Sequence, residues 1–209
     1  MKILIVAGVP TALPNEKFDK FIGVDRGALF LAEKGKRLNI AVGDFDSVTS
    51  DELAKVTAAS DRLVKLPAEK DDTDLEVGLT IATTEFPSAE IVIYGALGGR
   101  MDHMLTNLEL ATTSRFHTFA EQITLADEQN IVKYLHPGKH ILPKIPDKKY
   151  IGFVQINTAD SLAIENAKYP LAAEANFKTI YASNEFIADT MTVSFTQGML
   201  LVIYSKDKK

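Results

Sequence analysis

The chain has no cysteine, which removes disulfides, thiolate nucleophiles, Cys-type zinc sites and iron–sulfur clusters and leaves oxygen and histidine as metal ligands. It has no block of lysine and arginine either. Its 23 basic residues are outnumbered by 28 acidic ones, for a net charge of −5, so no nucleic-acid partner held by phosphate contacts is expected. No apolar run approaches the ~18 residues that a bilayer crossing requires. The opening MKILIVAGVP is too short for a signal segment and reads as a first buried strand; a cytoplasmic protein with no membrane partner is expected. Heptads, solenoid-type repeats and a low-complexity linker are missing. So are the dinucleotide G-x-G-x-x-G and the Walker G-x-x-x-x-G-K-[ST] motifs. His117, His136 and His140 show no metal spacing and are expected at the surface.

What is present is a foldable chain of 209 residues, 46% apolar and 24% charged, long enough for two lobes. Residues 2 to 7, 21 to 25, 39 to 44, 62 to 67 and 90 to 95 are short apolar runs of the kind a strand buried on both faces needs. Helix-period segments at 26 to 35 (with Gly35 as a stop), 73 to 86 and 101 to 114 alternate with them. That alternation predicts a mostly parallel sheet with right-handed crossovers. After about residue 120 the texture turns to short β-like runs broken by Pro, Gly, Asn and Asp, as in an antiparallel sandwich or barrel. The expected domains are 1–127 and 128–209.

The acidic residues gather where strands end, the side of an open α/β sheet on which ligands bind. Asp25 ends the second run, Asp44 and Asp46 the third; Asp71, Asp72 and Asp74 follow the fourth, and Asp102 the fifth. Asp44 and Asp46 point to one side if the backbone stays extended; Asp71 and Asp74 share a face if both lie on the helix. Each has a plain alternative, helix capping for 71 to 73 and an Asx turn for GDFDS. Convergence favours a cation, because carboxylates about 5 Å apart repel by ~3 kcal/mol at an effective dielectric near 20. Oxygen ligands of this kind suit Mg²⁺. The stretch YGALGGRMDH (94 to 103) offers a glycine-rich turn opening a helix, which lets backbone N–H groups approach a phosphate. Arg100 suits a phosphate or a neighbouring aspartate equally.

On the motifs GVDRGA (23 to 28), VGDFDS (42 to 47), KDDTDLE (70 to 76), GALGGRMDH with Asn107, KYPL (168 to 171) and SNEF (183 to 186), the chain resembles the thiamine pyrophosphokinase family. The resemblance implies an N-terminal three-layer α/β catalytic domain with a mostly parallel sheet and a C-terminal antiparallel β-sandwich that binds thiamine. It also implies a homodimer with the active site at the subunit junction, and transfer of pyrophosphate from ATP to thiamine, giving thiamine diphosphate and AMP. Under it, Asp44, Asp46, Asp71 and Asp74 look like the magnesium and catalytic carboxylates. Asp25, Gly98, Gly99, Arg100, Asp102, His103 and Asn107 look like the nucleotide and phosphate site, and Tyr169, Ser183 and Asn184 like the thiamine site. Ala167 and Arg26 stand where the family commonly has glycine. The residues taken alone leave two other readings open, a Mg²⁺-dependent nucleotide phosphohydrolase and a non-catalytic thiamine- or nucleotide-binding module.

Overall fold

The computed structural model describes residues 1–157 and 161–208, which divide into two compact units, Met1–Asp127 and Glu128–Lys209. In the first, strands β1 (Lys2–Ala7), β2 (Lys20–Val24), β3 (Leu38–Gly43), β4 (Ser60–Lys65), β5 (Glu90–Tyr94) and β6 (Ile123–Ala126) pair side by side in the order β6-β5-β1-β2-β3-β4. Every pairing is parallel. The continuous apolar runs are explained by cover on both faces: Ile3, Leu4, Ile5 and Val6 are all buried. Gly23 faces helix α1 (Arg26–Glu33), where a Cβ would overlap Ala28. The next residue, Val24, faces the other way and lies against Gly78 of helix α3 (Asp74–Glu85). Successive strand residues point to opposite faces, so the helices sandwich the sheet in three layers. The chain moves outward from β1 to β4 and then crosses back to β5, which places the reversal of strand order between β1 and β5.

Helix α2 (Ser50–Ala59) has no counterpart in the sequence expectation. Val56 is its one buried residue, so the helix lies on the surface with little tying it to the core. Its signal is a capping box, in which the Thr49 side chain accepts from Glu52 N and the Glu52 carboxylate accepts from Thr49 N. Helix α4 (Met101–Glu109) ends earlier than the 101 to 114 expected, and the chain continues as a 3₁₀ turn, Leu110–Thr112.

In the second unit β7 (Asn130–Leu135), β9 (Tyr150–Ile156), β11 (Ile180–Asn184) and β13 (Met199–Ser205) form an antiparallel sheet in the order β11-β9-β13-β7. Strands β8 (Gly138–Pro143), β10 (Ala163–Glu165) and β12 (Thr190–Phe195) form the second, ordered β10-β12-β8. Alternate residues of the two sheets meet in one core. Ile151, Phe153, Leu200, Val202 and Tyr204 pack with Leu142, Ile164, Met191, Val193 and Phe195. His140 is not the surface residue expected: it is partly buried, its ring stacks on Phe195, and its Nε2 lies 2.8 Å from His136 O.

Candidate active site

Asp25, Asp44 and Asp74 each present a carboxylate oxygen, and these oxygens lie within 4.8 Å of one another. All three side chains are partly buried. The backbone is bent to make this possible. Asp25 has φ 46° and ψ −120°, a region normally left to glycine. It is held there by Asp25 N donating to Val42 O at 3.0 Å and by Ala28 N donating to Asp25 O at 2.9 Å. Its carboxylate lies against Gly43, where a Cβ would overlap Oδ1; glycine is required at the end of β3 because the next strand's aspartate occupies the space. Burial, then the charge of Asp74, push the Asp25 carboxyl up to about 7, against the Phe45 N–H that donates to it at 3.4 Å. Lys70 faces the group, its Nζ 3.1 Å from Asp74 Oδ1 and 3.5 Å from Asp44 Oδ2. Asp74 Oδ1 is buried and accepts no hydrogen bond.

Asp46 and Asp71 lie outside this group and are exposed. The GDFDS segment is not extended: Phe45 has φ 59°, and Asp46 N donates to Asp44 Oδ1 at 3.1 Å, the geometry of an Asx turn. Asp71 precedes the α3 N-cap, Thr73, which forms a capping box with Glu76, so Asp71 and Asp74 do not share a helix face. Asp72 pairs at 2.7 Å with Arg115, which holds its carboxyl below the usual range and ties the start of α3 to the segment after α4. Arg26 Nη1 donates to Ser47 O at 2.9 Å and braces the turn that carries Asp44.

The glycine-rich turn behaves differently. Gly98 (φ 111°) and Gly99 (φ 72°) sit in open space, so their glycines serve conformation and not close packing. Asn107 Nδ2 donates to Ala96 O at 2.9 Å and fastens α4 back onto the turn. No side chain caps α4. Arg100 is engaged by Asp102 at 2.6 Å, and the hydrogen bond from Arg100 and the His103 N–H hold the Asp102 carboxyl low. The imidazole of His103 is exposed.

In the second unit a groove of about 570 Å³ is lined by Tyr150, Gly152, Tyr169, Ile180, Ser183 and Asp207, among others. Tyr150, Gly152 and Val154 of β9 alternate with the core residues Ile151 and Phe153, so the groove lies on the outer face of its sheet. Between Tyr181 and Asn184 three steps of β11 match two of β9, a β-bulge that carries Ser183 at φ 60°. Of the three expected thiamine residues, Tyr169 and Ser183 line the groove. Asn184 instead lies behind it, 3% exposed. Asn184 Oδ1 accepts from Tyr169 N at 3.0 Å and Glu185 N at 2.9 Å, while Nδ2 donates to Tyr169 O at 2.7 Å. It fixes the Tyr169 segment to β11.

Sequence reasoning passed over Lys70, Arg115 and the role of Gly43. Lys70 stands inside a quoted motif, and its spacing of four from Asp74 was its visible signal; Arg115 had none, because its partner is remote in sequence.

Residues 13–123 match the family model described as "Thiamin pyrophosphokinase, catalytic domain", and residues 139–200 match "Thiamin pyrophosphokinase, vitamin B1 binding domain". The chain is 36% identical over 214 residues to "Thiamine pyrophosphokinase" of Bacillus subtilis, covering 98% of this chain and 99% of the relative. Among solved structures, a thiamin pyrophosphokinase family protein from Enterococcus faecalis superposes with a TM-score of 0.94 at 43% identity, with both chains covered in full. Thiamin pyrophosphokinase from Geobacillus thermodenitrificans superposes at 0.82 with 32% identity, covering 100% of this chain and 99% of that one. With both units matched, in order and over nearly the whole length, the chain belongs to the thiamine pyrophosphokinase family of enzymes.

Proposed function

We propose that this chain transfers the pyrophosphoryl group of ATP to the hydroxyl of thiamine, giving thiamine diphosphate and AMP. The observation that carries the reading is the crowded carboxylate group at the C-terminal edge of a parallel sheet, in a chain of this family. A glycine-rich turn and an uncapped helix occupy the same edge of that sheet, after β5. The donor set fits Mg²⁺: the oxygens are hard, one of them is buried without a hydrogen bond, and burial, then the charge of Asp74, raises the Asp25 carboxyl. Asp44 and Asp74, with Asp25 beside them and Asp46 and Asp71 at the exposed rim, would hold the ion. Bound there it would neutralise charge on the β- and γ-phosphates.

The protein's own groups supply the rest. Backbone N–H groups of the 97 to 99 turn and the start of α4 would cradle phosphate, with Asn107 keeping the turn in place. Arg100, Asp102 and His103, at the same helix start, complete the proposed nucleotide site. Tyr169 offers an aromatic face to the permanent cation of the thiazolium ring, and the Ser183 hydroxyl lies in the same groove. Asn184 is a positioning residue for both. The thiamine oxygen attacks the β-phosphorus in line; a P–O bond forms, the bond to the bridging oxygen breaks, that oxygen leaves with AMP, and the hydroxyl proton passes to solvent. A homodimer that joins groove and carboxylates at the subunit junction is part of the proposal, as is a cytoplasmic location, where ATP is available.

The test follows AMP, thiamine diphosphate and inorganic phosphate from ATP and Mg²⁺ with and without thiamine. Thiamine-dependent AMP without free phosphate is expected. Phosphate release indifferent to thiamine, or binding without turnover, overturns it.

A further inference from the structure

We propose that Lys70 is a built-in counter-ion: it holds the carboxylate group together in the metal-free protein, competes with the divalent cation for Asp44 and Asp74, and passes to the nucleotide's phosphates when that cation binds. The inference rests on the carboxylate group being the metal site.

Three observations carry it. The Lys70 ammonium sits 3.1 Å from Asp74 Oδ1 and 3.5 Å from Asp44 Oδ2, two members of the three-carboxylate group, and its side chain is only 15% exposed. Asp74 Oδ1 is buried and makes no well-aligned hydrogen bond, so the ammonium 3.1 Å away is the charge that makes its burial tolerable. The remaining bond of Nζ, to Pro67 O at 3.1 Å, is local and lies in the segment between β4 and α3. Lys70 can therefore leave without dismantling either element.

A magnesium ion binds carboxylate oxygen at about 2.1 Å. An ammonium already against oxygens of two of the same carboxylates would then lie within a few ångströms of a doubly charged ion, with little water between them to screen the repulsion. The two cations exclude each other from the group. Lysine suits such a role because its charge is a compact point on a flexible four-carbon stem, which can swing where a forked guanidinium would stay bound. The displaced ammonium remains tethered beside the group, and the polyphosphate is the negative charge it would meet there. The consequence is synergy: the metal binds weakly alone and more tightly with nucleotide, because the phosphates give Lys70 somewhere to go.

The experiment titrates Mn²⁺, as a paramagnetic substitute for Mg²⁺, into the full chain without nucleotide, comparing wild type with K70M and K70Q and checking each fold by circular dichroism. Loss of the competing charge is expected to tighten Mn²⁺ binding about tenfold, to lower the metal-free melting temperature, and to raise the KM for ATP. A purely structural lysine would not make its own removal improve metal binding. Wild-type binding that is unchanged or weakened in both folded variants overturns the Lys70 inference and leaves the metal site standing. Absence of Mn²⁺ binding in all three proteins overturns the metal-site reading itself, and the inference with it.

Discussion

The first unit crowds three carboxylates within 4.8 Å and sets the Lys70 ammonium against two of them, whereas the second surrounds the Asn184 amide with three partners at 2.7 to 3.0 Å. The carboxylate group also holds Asp25 at a φ of 46° and leaves Asp74 Oδ1 buried without a hydrogen bond. Around Asn184 the neighbouring charges are matched, with Lys168 paired to Glu185 at 2.7 Å. Under the proposed function, the first region gives up stability for charge that a ligand would use. The second is scaffolding that presents Tyr169 and Ser183. Substitutions should act on the two in opposite ways.

The largest effect is expected at the carboxylates. Asp74→Asn should lower turnover by roughly a thousandfold or more while raising the melting temperature of the metal-free protein measured above pH 7, where the Asp25 carboxyl is ionised and a charge repelling it goes. Asp46→Ala should likewise abolish turnover with a cooperative melt retained. A metal-free Asp74→Asn protein that melts lower than wild type would break the contrast. Next comes Asn184→Ala, which orphans Tyr169 N, Tyr169 O and Glu185 N and should cost about 2–3 kcal/mol in urea unfolding, with a raised KM for thiamine. Unchanged unfolding would show that water replaces the amide at no cost.

A smaller effect should appear with pH. The Asp25 carboxyl is raised in the folded chain from 3.8 to about 7, so the folded state binds its proton more tightly than the unfolded one. That contribution to stability is complete below 3.8 and lost as pH rises through about 7. Metal-free wild type should therefore lose stability relative to Asp25→Asn across that window, and saturating Mg²⁺ should remove the difference; a difference growing in the opposite direction would sink the assignment. The smallest effect belongs to Tyr169→Ala. With Tyr169 57% exposed, the melt should hardly move, while loss of a cation–π face of about 1 kcal/mol should raise the KM for thiamine roughly fivefold. An unchanged KM would remove Tyr169 from the thiamine site.

Much of the architecture was legible because the physics is local. Residues 2 to 7 read as a doubly covered strand and form β1; Gly35 stops a helix with φ 67°; the acidic residues were found at strand ends because a parallel sheet brings those ends to one edge. Helix α2 was missed: it lies on the surface with Val56 alone buried, and its start is marked by the Thr49–Glu52 capping box. The pairing of Asp44 with Asp46 failed as an expectation because it assumed an extended backbone, and Phe45 at φ 59° turns the chain back. Asn184 was picked out as a ligand residue, but its burial, invisible in a two-residue motif, makes it a brace.

By itself the sequence determined the fold class and the family, because each depends on residue type and near-neighbour spacing. The tertiary structure decided which carboxylates meet. Asp25, Asp44 and Asp74 come from the ends of three separate segments; the register of β2 on β3, with Gly43 leaving room for Asp25 Oδ1, brings Asp25 beside Asp44, and the start of α3 brings Asp74 to them. It also decided that Lys70 would be the ammonium facing them. Charge repulsion and desolvation depend on distance through space and on burial, and neither is written in the spacing of residues along the chain.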